Sequence, residues 1–438
     1  MFRHKIRVST NVLFSLAALL MFASTSGAAQ TVTTSSLTVL HFASGGDDTP
    51  GRMTTDAAGN FYIAAGSNIG QDFFEVLKYN SQNKLTVIRH PNQPGEFGGP
   101  AVDVKLDKLG NIYAVGSTTF GGLVASFTPA GSQRWSTHFN GTPVAVAVDA
   151  LGNVYAAGTR ETGNFQGEWV IIKYSNSGLV LWEQHHTGTV ARSDVRLTDI
   201  RLDSAGNPVL LGITNMLVGF FPSTMTTLKL DSHGNTLWVD DFDAGPHAQV
   251  NPRGLALDRG DSVYATGATG PFSGFGFTVK YDANGNRQFL LSGNESGGFS
   301  VTIDPAGDLL LVGSIATAKP PFAVSVASKY HANGVKVWTT TVPAAGKILS
   351  DAIGNIFVAG SMANSNINPT TDQYFVSKLS PAGKLQFTKS FPQGQDVSDA
   401  AFDSSGNLLV TGSLSNVAGT HEIVTLKLAR GFTAATAQ

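Results

Sequence analysis

No cysteine occurs among the 438 residues. That absence excludes a disulfide framework, thiolate metal sites, a cysteine nucleophile and a lipoprotein anchor. Charge is sparse too: 14% of residues are charged, 29 of them Lys or Arg and 31 Asp or Glu. A net charge of −2 gives no whole-chain attraction for nucleic acid or an anionic membrane. Past the first thirty residues there is no helical periodicity, and no apolar run approaches the ~20 residues that cross a bilayer. What the chain does have is 42% hydrophobic residues and 49 glycines, enough for a packed core interrupted by many tight turns.

The N-terminus reads as an address. Arg3, Lys5 and Arg7 precede an apolar stretch from Val12 to Ala23, and small residues follow through Ala28 and Ala29. A basic start, a short apolar middle and a small-residue end predict a signal peptide over residues 1–29, cut near Ala28 or Ala29. The apolar stretch is too short for a membrane anchor. The mature chain is expected to be exported and soluble, with residues 433–438 as a plain tail.

Residues 30–432 are one unit written eight times. The first signal is Asp-x-x-Gly-Asn/Asp before an apolar strand, as at Asp56, Asp107, Asp149, Asp203, Asp304, Asp351 and Asp403; an eighth copy at Asp258 reads one residue shorter. The period is about 50 residues, which suits a propeller blade or a long solenoid repeat. The second signal lies farther on: Lys, then Gly five residues later, then an aromatic four after that, as in Lys173-Gly178-Trp182 and Lys229-Gly234-Trp238. Each unit therefore predicts four short strands joined in pairs by tight glycine turns.

Four-stranded units in eight copies predict an all-β, eight-bladed β-propeller of antiparallel blades. The last unit lacks its fourth strand, and a spare strand, Leu37 to Phe42, precedes the first. The N-terminal strand is expected to pair with Ile423 to Leu428 and close the ring, with Phe42 in the aromatic slot. Closure also removes an exposed sheet edge.

The run from Val146 to Thr159, with Lys173-Tyr174 and Gly178 to Trp182, resembles the SBBP-type β-propeller repeat of secreted bacterial proteins. The resemblance covers nearly all of Leu37 to Phe432, and copies one and five depart from its pattern. It implies a fold and an exported location; the family's members mostly lack an assigned activity.

The tight turns share one face of such a ring, and the long irregular links share the other. Binding residues concentrate on loops held by a rigid scaffold, so the long-loop face is the place for a site. Arg160, Trp169, His186, Arg192 and Asp194, with Phe165, Phe220 and Phe221, form the richest polar and aromatic cluster there. On the innermost strands, residues one and three before each turn Asp are almost all apolar and should pack between blades. Residues two and four before it are mostly polar or small. They place Arg52, Asp103, Asp199, Lys347 and Asp399 at the mouth of a wet central channel, where they either grip a polar ligand or pair across blades.

Other motifs point away from chemistry. His185 and His186 are adjacent on a strand and so face opposite ways, which disfavours a shared metal. The Asp282 run lacks the closing Glu of a calcium loop and reads as a turn. Gly-x-x-x-Trp is similar to the docking motif of eight-bladed quinoprotein dehydrogenases, but a vicinal disulfide is excluded. No nucleophile elbow, His-Glu-x-x-His or P-loop occurs. No cofactor or metal is expected, and the chain should be a monomer. The expected function is a secreted, non-catalytic binding or scaffold propeller for an extracellular glycan, peptide or protein. The alternative is a secreted hydrolase or lyase, with Asp194, His186 and Arg192 as first suspects.

Overall fold

The Asp of the first signal builds its turn almost alone. Asp107 Oδ1 accepts the N–H groups of Leu109 and Asn111, each at 2.9 Å. Its Oδ2 accepts Asn111 Nδ2 at 2.7 Å and the Tyr113 hydroxyl at 3.0 Å. One carboxylate thus satisfies two turn amides and ties the turn to the strand that follows, which explains the spacing Asp-x-x-Gly-Asn-x-Tyr.

Those turns recur through a computed structural model of the chain, which describes residues 28–33, 36–163, 166–188, 193–217, 223–245, 248–270, 276–293, 298–316, 323–362, 373–392, 394–415 and 419–433. Among them there is no helix. Seven four-stranded antiparallel sheets span residues 47–89, 98–139, 142–187, 193–242, 250–292, 300–342 and 347–391, here blades 1 to 7. Blade 8 combines three C-terminal strands with the N-terminal one: Leu37–Ala43 pairs antiparallel with His421–Leu428, setting Leu37 opposite Leu428 and Phe42 opposite Ile423. The Ala429 N–H donates to the Ser36 carbonyl at 3.0 Å, so the two chain ends meet where the other blades have a turn. The fold is an eight-bladed propeller closed as the sequence predicts.

Three details differ from expectation. Ala28–Thr33 adds a fifth strand outside Leu37–Ala43, and it overlaps the last two residues assigned to the leader. Thr38, not Phe42, fills the aromatic slot of blade 8, because it lies opposite Lys427 as Trp238 lies opposite Lys229. Phe42 lies four residues farther on the same face, beyond Leu40, and is buried like Phe242. The turn of copy five is of full length. Asp258 Oδ1 accepts the N–H groups of Gly260 and Ser262, each at 2.9 Å, and Asp261 takes the left-handed position at φ 61°. Asp and Asn are the side chains that tolerate that conformation best, and Asn83 does the same at φ 64° in copy one.

The second signal is a clasp between blades. Trp182 Nε1 and Lys173 Nζ of blade 3 both donate to the Ser232 carbonyl of blade 4, each at 3.0 Å. Trp238 and Lys229 of blade 4 do the same to the Ala283 carbonyl of blade 5, at 3.2 and 3.3 Å. Lys229 also pairs with its own blade's turn residue Asp203 at 2.9 Å. The indole lies against the neighbour's glycine: a Cβ on Gly285 would sit 2.6 Å from the Trp238 ring. Apolar side chains fill each seam above the clasp. Between blades 1 and 2 these are Tyr62, Phe74, Ile88, Val104, Ile112 and Leu123.

Gly285 and Gly307 separate the two reasons for glycine. Their φ values are 86° and 87°, but a Cβ on Gly307 meets nothing within 4 Å. Gly307→Ala should cost about 1 kcal/mol for the left-handed backbone. Gly285→Ala should cost about 2–4 kcal/mol, because the ring must also move. Urea unfolding of both variants measures the gap, and equal costs would remove the clasp from the account.

Candidate functional site

The axial residues mostly serve one another. Arg52 of blade 1 reaches Asp103 of blade 2 at 3.4 Å and Asp199 of blade 4 at 2.7 Å, and it donates to the Thr198 carbonyl at 2.8 Å. Blades 1 and 4 are not neighbours, so this guanidinium crosses the axial opening. Lys105 pairs with Asp103 at 2.5 Å, Arg201 with Asp199 at 3.0 Å, and Lys347 with Asp399 at 3.7 Å. Two of the acids also hold seams. Asp103 Oδ2 accepts the Val146 N–H of blade 3 at 3.1 Å, and Asp399 Oδ2 accepts the Met53 N–H of blade 1 at 2.9 Å. Asp103 and Asp199 are buried, which corrects their placement at an open, wet mouth. Burial works against the charge of Asp199, but Arg201, Arg52 and Lys105 outweigh it and hold its carboxyl below the usual range.

Arg160 and Trp169, selected on blade 3, face opposite ways. Arg160 and Glu168 are cross-strand neighbours; Arg160 Nε donates to Glu168 Oε1 at 2.6 Å. His185 Nδ1 lies 3.0 Å from the same oxygen. Trp169 and His186 point the other way, into the seam with blade 4, with ring centroids 5.4 Å apart. Trp169 is 0% exposed, so its ring offers no stacking face to a ligand; this corrects its assignment as a binding aromatic. Burial lowers the His186 pKa, with Asp241 opposing. Asp194 lies on strand one of blade 4, opposite Met216. Arg192, Phe165, Phe220 and Phe221 lie outside the described residues, as do residues 1–27 and 434–438.

A different place on the long-loop face does converge. The link from blade 1 to blade 2 reads His90-Pro91-Asn92-Gln93-Pro94-Gly95-Glu96-Phe97 and walls a cavity of about 610 Å³ with Gln71, Phe73 and Arg89. Glu96 is buried beneath it. Its Oε2 accepts the Gln93 N–H at 2.8 Å and lies 3.5 Å from His90 Nε2; its Oε1 lies 2.8 Å from His138 Nε2 of blade 2. Burial opposes the charge of Glu96, but the Gln93 amide and the two histidines more than offset it and keep the carboxyl below its ordinary range. His90 Nδ1 meets Gln133 Oε1 of blade 2 at 3.0 Å. The link is therefore pinned on both sides of the seam.

On the blade 1 side, Arg89 stacks over Phe73, 4.7 Å from the ring centroid, and donates from Nε to the fully buried Glu75 at 2.5 Å. Ser67 supplies that carboxylate with a second donor at 2.9 Å. Asp48, also buried in this blade, has its carboxyl pushed up to about 6 by burial, against the Ser44 hydrogen bonds that favour its charge. Phe97 and Phe120 are 50% and 49% exposed. The Phe97 N–H donates to Thr119 Oγ1 at 3.0 Å, which ties the two segments together. The sequence did carry a signal for this site: two prolines, a His and a Glu together, a combination that no other blade-to-blade link contains. Among the described residues, no group of three His, Asp or Glu is placed to hold a metal ion. No helix among them is long and apolar enough to cross a membrane.

No family model matches the chain, and no curated protein matches it. Among solved structures it is similar to virginiamycin B lyase from Staphylococcus aureus at 10% identity and TM-score 0.46, covering 87% of this chain and 95% of that one. It is also similar to a streptogramin B lyase, at 9% and 0.48, covering 90% and 98%. A third is the WD40 propeller domain of Doa1, at 10% and 0.47, covering 89% and 95%. At these identities no residue role passes from any of them to this chain.

Removing Arg52 tests the axial network. Arg52→Met leaves Asp199 and Asp103 short of a buried counter-charge and should cost about 3–5 kcal/mol at pH 7. Because the Asp199 pKa is lowered in the folded state, its stabilising contribution is present above the unfolded value of about 3.9 and fades as pH falls below it. The gap between variant and parent in thermal unfolding should therefore narrow by pH 3. A gap that is small at pH 7, or constant with pH, would show that the guanidinium is not balancing these acids.

Proposed function

We propose that this protein is an exported binding propeller that engages an extracellular ligand through its long-loop face, at the cleft between blades 1 and 2. The propeller fold supports a binding or scaffold role in general, because it holds loops rigidly around a ring. One observation carries the choice of place: the 610 Å³ cavity is lined by polar groups from a link pinned to two blades, with a half-exposed ring, Phe97, at its edge. Concave sites with a few fixed polar groups and an aromatic wall are the usual form of ligand sites. Membership of the SBBP-repeat proteins rests on the repeat pattern, and export rests on the basic, apolar and small-residue order of residues 1–29. The hydrolase or lyase reading gains no support. Of its suspects, His186 turns into the seam with blade 4, and Glu96 of the cleft is held ionised rather than poised to give up a proton.

Two measurements test the reading. The exported protein should begin at Ala29 or Gln30 on N-terminal sequencing; retention of residues 1–28 would rule out a cleaved leader. On an array of glycans, peptides and extracellular proteins, Arg89→Ala and Phe97→Ala should weaken any captured ligand about tenfold or more, while Arg160→Ala leaves it unchanged. Sensitivity to Arg160 alone would move the site to blades 3 and 4.

A further inference from the structure

We infer that the cleft between blades 1 and 2 takes a carbohydrate, an inference that rests on the binding role proposed above. Three features of the cleft select the ligand chemistry. First, its lining holds no aliphatic side chain apart from Pro91 and Pro94; it is made of Gln, Asn, Glu, His and Arg with two phenylalanines. A groove that anchors aliphatic peptide side chains needs aliphatic pockets, and this lining supplies two rings and two prolines instead.

Second, one polar side-chain atom in this lining, Asn92 Oδ1, is buried without a hydrogen-bond partner. Such an atom is costly unless something satisfies it. Sugar hydroxyls donate as well as accept, so a hydroxyl can satisfy that amide oxygen while a neighbouring one accepts from the lining.

Third, the cleft edge presents Phe97 half in water; Phe120, next to the Thr119 that pairs with Phe97, is equally exposed, its ring set edge-on to His138 at 5.9 Å. Flat exposed rings beside hydroxyl partners suit the C–H faces of pyranose units, one unit on the rings and the next in the cavity. The Arg89 guanidinium is already paired with Glu75, and Glu96 is taken up by the Gln93 amide and its contacts with the two histidines. A polymer of high charge is therefore disfavoured, and a neutral or weakly charged glycan chain fits.

The test is calorimetric titration of the purified full mature chain with chitohexaose, cellohexaose, xylohexaose and mannohexaose, beside a set of unrelated hexapeptides. Phe97→Ala and Asn92→Ala are the informative variants. Leu151→Ala, on an exposed turn of the opposite face, is the control, and circular dichroism confirms that all three fold. The expected result is binding of at least one hexasaccharide, about tenfold or more weaker in both cleft variants and unchanged in the control. Failure of all four sugars to bind overturns the carbohydrate assignment. Peptide binding that Phe97→Ala abolishes overturns the assignment but leaves the cleft as the site. Sugar binding indifferent to both variants overturns the cleft itself.

Discussion

The clasp between successive blades is the constraint on which the rest depends. An indole and an ammonium from one blade share a turn carbonyl of the next, and the indole needs a glycine under it to come that close. A four-stranded sheet alone exposes both faces, and no single blade encloses a core. The seams supply the core, and the clasp sets how far apart blades stand. The same Lys reaches back to the Asp that caps its own blade's first turn. Turn, strand and neighbour are thus fixed by one set of side chains, which is why the unit could be repeated with little change.

Such a device works only if the ring closes, since an open array leaves its last seam unpaired. Closure here is a strand exchange between the chain ends, and it is reinforced inside the ring. Asp399 of the last blade accepts an amide from the first, and Arg52 of the first blade reaches to the fourth. The innermost charges hold the circle rather than await a ligand. Asp103 and Asp199, so far from bulk water, are stable only because each has several donors.

With the tight-turn face and the axis committed to the fold, the long links are left free to vary. The link between blades 1 and 2 departs furthest toward a site. Prolines stiffen it, Glu96 anchors it through an amide and two histidines, and the seam below gives it depth. The links of blades 3 and 4 carry equally suggestive residues, but Trp169 turns into a seam, and Arg160 and His185 gather on Glu168.

Strand number, turn positions, blade count and the partner of the N-terminal strand were legible in the chain because each follows from spacing, and spacing is preserved when a unit repeats. Even copy five kept its turn, since Asp261 tolerates the backbone that glycine otherwise supplies. The direction of individual side chains was not legible. Whether Trp169 meets water or blade 4, whether Asp103 meets the channel or the Val146 amide, and whether Glu96 finds His138 depend on residues about 26 to 43 positions away in sequence. Local pattern sets the strands, whose hydrogen bonds and turns are short-range. The site was decided only by the angle and distance between blades, which no single repeat contains.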